Sequence, residues 1–153
     1  MKKNVIFLLL TLTTFNLFAR SPGGEQVDPL IEAKFKKEFG PSVNVSWKIV
    51  EDVSVAIFLD QGQEKEVFYD ADGEILGLGK DLKRDLLPEA VNRSIKTRFN
   101  SGIIQTAYEF KSKSSSTRYY VIVITERYAM IVSADEFGGM TIVQKEKLKR
   151  PRL

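Results

Sequence analysis

The residue types that most often perform enzymatic chemistry are missing from this 153-residue sequence, which contains no histidine and no cysteine. Histidine is the commonest general base and transition-metal ligand, and cysteine supplies thiolate nucleophiles and zinc thiolates. A serine/lysine pair or paired carboxylates remain available. However, the serine-rich segment 112–116 has none of the surrounding glycines of a nucleophile elbow. We therefore predict a protein that is not an enzyme and that needs no cofactor.

One acidic segment, Asp70-Ala71-Asp72-Gly73-Glu74, has carboxylates spaced as in a fragment of a calcium-binding loop. An EF-hand loop needs further oxygen ligands and a bidentate glutamate at its twelfth position, where this chain has Asp81. Strand-like segments also flank the acidic segment on both sides. Because Asp-Gly is a standard hairpin signal, we predict a tight turn here and no metal site.

The elements that would position any site occur twice along the chain. A short amphipathic helix at Leu30–Phe39 is followed by four strand-like segments, and a second helix at Ala90–Phe99 opens the same series again. The offset of about 60 residues indicates tandem units. Apolar residues recur at every fourth position of both helices, which gives each helix one buried stripe. We predict an α+β protein of two tandem units, each with one helix on its own four-stranded antiparallel sheet.

Residues 1–19 have two lysines, then an apolar stretch, then small or apolar residues near Ala19, which is the layout of a secretory signal peptide. The alternative is a membrane anchor, but the apolar run is too short to cross a bilayer core of about 30 Å. Small secreted eukaryotic domains usually contain disulfides, whereas this chain has no cysteine. We predict a periplasmic or secreted protein of a Gram-negative bacterium, without a stable membrane anchor after cleavage.

The predicted domain organisation follows from these patterns. It consists of a signal peptide at 1–19, a flexible leader at 20–27, a first unit at 28–86, a second unit at 87–148 and a basic tail at 149–153. The formal net charge of +3 includes Lys2 and Lys3, whose removal leaves +1. A charge this small does not suit a nucleic-acid-binding protein.

Four segments carry a resemblance to a known family. They are FKKEFGPSVNVSW at 35–47, VFYDADGEI at 67–75, LLPEAVNRSI at 86–95 and TRYYVIVI at 117–124. Together they resemble the PepSY-like proteins of bacterial envelopes, which are described as β-lactamase-inhibitor-like. The resemblance spans residues 28–148 and implies a plan similar to that of the secreted β-lactamase inhibitor protein. That inhibitor uses a concave sheet surface and hairpin loops to plug an enzyme's active site, whereas this chain lacks its disulfides.

Aromatic side chains mark the predicted strands and are the candidate contact residues. On an outer sheet face they would form a rigid surface of the kind that supplies hot spots in protein recognition. The alternative for each is ordinary packing beneath a helix. Adjacent strand residues point to opposite faces, so one of Tyr119 and Tyr120 must face away from its helix. The candidate partner-binding residues are Trp47, Tyr69, Tyr108, Tyr119 and Tyr120.

Two functions remain open at the level of the sequence. The first is a secreted, noncatalytic binding module, enzyme-inhibitor-like, that contacts another envelope protein or peptide. Its contact elements would be an exposed sheet face and the hairpin loops at Asp60–Glu64 and Lys111–Ser116. The alternative is a periplasmic carrier of a small apolar ligand or peptide, which requires a closed apolar cavity.

Overall fold

A computed structural model describes residues 25–148 of the protein, and the predicted signal peptide and basic tail lie outside this range. The elements, in chain order, are α1 Pro29–Phe39, β1 Val45–Val50, β2 Val53–Asp60, β3 Gln63–Tyr69, β4 Ile75–Leu82, a 3₁₀ turn Arg84–Leu86, α2 Glu89–Arg98, β5 Ile103–Ser112, β6 Thr117–Ile124, β7 Tyr128–Ala134 and β8 Met140–Lys147. Neither α-helix of this range is long and apolar enough to cross a membrane.

The predicted fold, α+β with two tandem units that each have a helix and their own four-stranded sheet, is wrong. The eight strands form one sheet in the order β1 to β8, accompanied by only two α-helices within residues 25–148. Strand β4 runs from Ile75 to Leu82, and the backbone N–H and C=O groups along it are satisfied by neighbouring strands, so that pairing continues through one sheet.

The chain divides into two compact units, and the division falls between Gly79 and Lys80, within β4. In the first unit, Asp28 Oδ1 accepts a hydrogen bond from Leu30 N at 2.8 Å, and Pro29 occupies the first turn of α1. Both features are typical of a helix start. The buried cluster beneath α1 consists of Val27, Ile31, Phe35, Ala56, Phe58, Val67 and Tyr69.

Strand β1 is the first strand of the sheet order, and Glu25 satisfies two of its backbone groups. The Glu25 N–H donates to the Trp47 carbonyl oxygen at 3.3 Å. The Ile49 N–H donates to the carboxylate of the same glutamate. Glu25, which precedes α1 in the chain, therefore covers part of an edge that would otherwise present open hydrogen-bonding groups.

In the second unit, α2 begins after Pro88 without a side-chain cap, and Val91 and Ile95 form its buried stripe. Strands β5, β6 and β7 supply most of the remaining core. The buried cluster beneath α2 consists of Leu87, Val91, Ile95, Ala107, Tyr119, Val121, Val123, Met130, Val132 and Ala134. This packing fixes α2 against the sheet and leaves its opposite face in solvent.

Candidate functional site

The acidic segment Asp70–Glu74 is a tight turn. Asp70 Oδ1 accepts hydrogen bonds from Asp72 N at 3.1 Å and from Glu74 N at 2.8 Å. Lys34 Nζ donates to the Asp72 carbonyl oxygen at 2.8 Å and pairs with the Glu74 carboxylate at 3.1 Å. Across residues 25–148, no group of three or more acidic side chains is arranged to hold a metal ion.

The structure places most of the predicted partner-binding residues inside the protein. Tyr69, Tyr108 and Tyr119 are buried. Trp47 and Tyr120 are half-buried. Their role in binding a partner stays a prediction, and the half-buried pair has the most surface to offer.

In the first unit, Trp47 belongs to an aromatic cluster beneath α1. Its ring centroid lies 5.6 Å from that of Phe35 and 6.1 Å from that of Tyr69. The Tyr69 hydroxyl oxygen is buried, and no hydrogen-bond partner reaches it from the described part of the chain. Burial, with a contribution from the charge of Glu38, raises the pKa of Tyr69 well above its usual range. The cluster is therefore mainly a packing feature, and Trp47 forms its outer part.

In the second unit, Tyr119 and Tyr120 face opposite sides of the sheet, as alternation predicts. Tyr119 belongs to the core beneath α2, and burial is the main reason that its pKa is raised. Tyr120 lies on the other face, in register with Tyr108 on β5 and Ser133 on β7. Burial raises the pKa of Tyr120, and a hydrogen bond with the Ser133 side chain opposes this increase.

A residue that the sequence patterns did not single out, Phe137, is the most exposed large apolar side chain of residues 25–148, at 82%. It lies in the turn that joins β7 to β8. The sequence does contain a signal for this position, because a phenylalanine followed by two glycines between two strands belongs to a hairpin turn. An aromatic side chain in such a turn has little opportunity for burial.

The turn Asp135–Gly139, here named the Phe137 turn, is held by four hydrogen bonds. The Asp135 carboxylate accepts from Phe137 N at 3.0 Å and from Gly139 N at 2.8 Å. Asp135 N donates to the Gly139 carbonyl oxygen at 3.0 Å, and Gly138 N donates to the Asp135 carbonyl oxygen at 3.1 Å. These bonds fix the backbone on both sides of Phe137. The exposed ring would therefore lose less conformational entropy than one on a flexible loop if another molecule covered it.

The Phe137 turn lies directly against α2. A Cβ atom at Gly138 would be 2.5 Å from Ser94 Oγ and 2.7 Å from the Ala90 carbonyl oxygen, so only glycine permits this approach. The contact bounds a surface hollow of about 310 Å³, here named the α2–turn groove. Its lining consists of Arg93, Ser94, Thr97, Arg98, Gly138 and Met140.

The electrostatic character of the α2–turn groove is set by two guanidinium groups. Arg93 Nη2 pairs with Glu89 Oε1 at 2.6 Å, and both side chains are largely exposed. Arg98 Nη1 donates to the Met140 carbonyl oxygen at 3.4 Å, and its guanidinium lies 5.8 Å from the centre of the Phe99 ring. A guanidinium has five N–H donors, so each arginine retains donors for a further acceptor.

A second hollow of about 470 Å³ lies in the same unit, beside the start of β5. Its lining consists of Asp81, Leu82, Lys83, Arg84, Asp85, Gln105, Thr106 and Ala107. Burial raises the pKa of the Asp81 carboxyl group. Because charged residues of both signs line this hollow, it does not select a ligand of one charge.

No protein-family model matches the sequence, and no curated protein matches it. Solved structures do match. A DUF2874 family protein from Bacteroides uniformis superposes with a TM-score of 0.68 at 20% identity, covering 80% of this chain and 90% of that chain. A BLIP-like protein from Bacteroides fragilis gives a TM-score of 0.62 at 21% identity, covering 84% of this chain and 92% of that chain. The protein has a BLIP-like fold.

A third structural neighbour is a protein from Bacteroides eggerthii that has been proposed to be periplasmic. It superposes with a TM-score of 0.67 at 16% identity, covering 80% of this chain and 89% of that chain. Identities this low establish a shared fold and do not establish a shared function.

Proposed function

We propose that this protein is a secreted, noncatalytic module of the bacterial envelope that binds another protein through its hairpin turns. The observation that supports this most directly is Phe137, a large apolar ring held in solvent by a hydrogen-bonded turn. Aromatic residues, phenylalanine among them, are enriched at protein interfaces relative to the rest of the surface. A fixed turn also reduces the entropy lost when the ring is buried by a partner.

The proposed periplasmic location is supported by the signal-peptide pattern of residues 1–19 and by the neighbour proposed to be periplasmic. Kinship with the PepSY-like proteins is part of the same proposal and rests on the four sequence segments that resemble that family. The BLIP-like neighbour supports a protein as the kind of partner. Inhibition of an enzyme is a more specific proposal, and it would follow from the identity of that partner.

The proposal is tested by affinity capture from the periplasmic extract of the source bacterium. The mature protein is compared with Phe137→Ala and with a matched control, Leu30→Ala, which removes a 57% exposed apolar side chain at the start of α1. We expect a discrete protein to be retained by the wild type and by Leu30→Ala, and to be lost with Phe137→Ala. Circular dichroism of each variant establishes that the fold is intact.

Two results would contradict the proposed function. In the first, no protein is retained by the folded wild type. In the second, Phe137→Ala retains the same protein as strongly as Leu30→Ala does, which would leave no role for the exposed ring. Carriage of a small apolar ligand stays a prediction, and native mass spectrometry of the purified protein would detect such a ligand directly.

A further inference from the structure

We infer that the α2–turn groove receives an acidic segment of the partner protein, with a carboxylate seated between Arg93 and Arg98 and a neighbouring apolar side chain against Phe137. This inference rests on the proposed protein-binding function and adds the chemistry of the partner. It places the contact on the exposed side of α2 and on the adjoining turn, both within the second unit.

The lining of the groove is complementary to a carboxylate. Its side chains offer two guanidinium groups and two hydroxyl groups, and none of the residues that line it is acidic. The nearest ion pair, between Arg93 and Glu89, is solvent-exposed, with side-chain exposures of 73% and 85%. Exposed pairs of this kind contribute little to stability. A partner's carboxylate can therefore take the place of Glu89 at little cost.

Arg98 also lines the groove. Its hydrogen bond to the Met140 carbonyl oxygen reaches from α2 to β8, and its guanidinium rests near the Phe99 ring. The 3.4 Å donor–acceptor distance makes this a weak hydrogen bond. Arginine binds carboxylates through two parallel N–H donors. A guanidinium that is already partly ordered loses less entropy on reaching this geometry than a freely moving one does.

An apolar contact adjoins the charged groups. Gly138 lines the groove, and Phe137 precedes it in the same hydrogen-bonded turn. Met140, which is partly buried, also lines the groove. Aromatic residues, methionine and arginine are the types that are enriched at the centres of protein interfaces. The combination predicts a partner segment with an acidic side chain and an apolar side chain close together.

A polyanion such as a nucleic acid or an anionic membrane is a poorer match. Such surfaces carry many regularly spaced charges and bind best to extended basic surfaces. The mature chain carries a formal charge near +1, and Glu89 lies on the same exposed face of α2 as Arg93. Two arginines in the groove lining, with an exposed phenylalanine in the turn that adjoins it, suit a short acidic segment of a protein.

The test is an NMR titration of the ¹⁵N-labelled mature chain with a short synthetic peptide that has a Glu-Asp pair next to phenylalanine and leucine. A matched peptide carries Gln-Asn in place of Glu-Asp. We expect the acidic peptide to shift amide signals around Arg93, Ser94, Thr97 and Gly138, and the neutral peptide to bind at least about tenfold more weakly.

Variants sharpen the comparison. The double variant Arg93→Gln with Arg98→Gln is expected to weaken binding of the acidic peptide at least about tenfold. The control is Lys36→Gln on α1, because Lys36 pairs with Glu32 at 2.6 Å across the same helical spacing as Arg93 and Glu89. Lys36→Gln should leave the affinity unchanged.

The inference is overturned by an equal response to both peptides, by no response to the acidic peptide, or by signal shifts confined to other surfaces. Stronger binding to phosphatidylglycerol vesicles than to the acidic peptide also overturns it, in favour of an anionic lipid surface. Partner capture distinguishes its failure from that of the proposed function. If Phe137→Ala loses the partner while the double arginine variant keeps it, protein binding stands and the acidic segment does not.

Discussion

Replacing Gly138 with alanine would test whether close packing between the Phe137 turn and α2 stabilises the second unit. Gly138 has a φ of +87°, a region that costs an L-residue about 1–2 kcal/mol. The added Cβ would also lie 2.7 Å from the Ala90 carbonyl oxygen, which belongs to the helix backbone and cannot rotate away. Overpacking of this kind costs about 1–3 kcal/mol. Alanine also reduces the conformational entropy of the unfolded chain, which offsets about 0.4–1 kcal/mol of this destabilisation.

We therefore expect Gly138→Ala to lower the free energy of unfolding by about 3 kcal/mol. The matched control is Gly62→Ala, in the hairpin between β2 and β3. Gly62 has a φ of +79°, but a Cβ added there would have no atom within 4 Å, so only the backbone strain applies. We expect Gly62→Ala to lower the free energy of unfolding by about 1 kcal/mol. Gly73→Ala should fall between them, because its nearest neighbour is the flexible Lys34 side chain at 3.1 Å.

The assay is urea unfolding followed by far-UV circular dichroism, with the slope m checked for constancy among the variants. Equal losses of unfolding free energy for Gly138→Ala and Gly62→Ala would contradict this expectation, because the backbone strain is similar and only the contact with α2 differs. A constant m is needed, since a changed slope would indicate an altered unfolded or native ensemble.

Three further predictions concern the first unit and the tyrosines. Asp28→Ala removes the capping bond to Leu30 N and should lower the free energy of unfolding by about 1 kcal/mol in the same urea assay; an unchanged midpoint would contradict this. Tyr69→Phe removes a buried hydroxyl that has no partner among the described residues, and should raise stability by about 1 kcal/mol. The pKa values of Tyr69, Tyr119 and Tyr120 are raised in the folded state. The stability that these three neutral side chains contribute is therefore complete below pH about 10, and it is lost as the pH rises from there through the folded-state pKa values. The urea midpoint should therefore fall between pH 9 and about 11, and it should fall less steeply for Tyr69→Phe. A midpoint that rises over this range would contradict the expected loss of stability.

The local elements could be predicted from the sequence because their causes are local. Asp28 and Pro29 mark the start of α1, and a fourth-residue apolar stripe identifies its buried side. Alternation correctly separates Tyr119 from Tyr120. The joining of all eight strands in one sheet could not be predicted in this way, because alternation assigns residues to faces and does not show which strands pair.

The candidate site shows a second limit of pattern-based reasoning. Period-two alternation assigns a residue to a face of the sheet, but it does not show how much of that face is covered. Tyr69 and Tyr108 were selected for residue type and strand position, and both are buried. Phe137 was overlooked because it lies in a turn. Asp135 holds this turn with local hydrogen bonds, and the candidate residues were chosen from strands alone.

The position of Glu25 has a practical consequence for how this protein is truncated or tagged. An uncovered edge strand is a template on which a second chain can add by backbone pairing, and such addition leads to oligomers or fibrils. Glu25 occupies two backbone groups of β1, at Trp47 and Ile49. A version that begins at Gln26 would expose both groups, and we expect it to self-associate more readily. Any N-terminal processing or engineered fusion should therefore leave this glutamate in place.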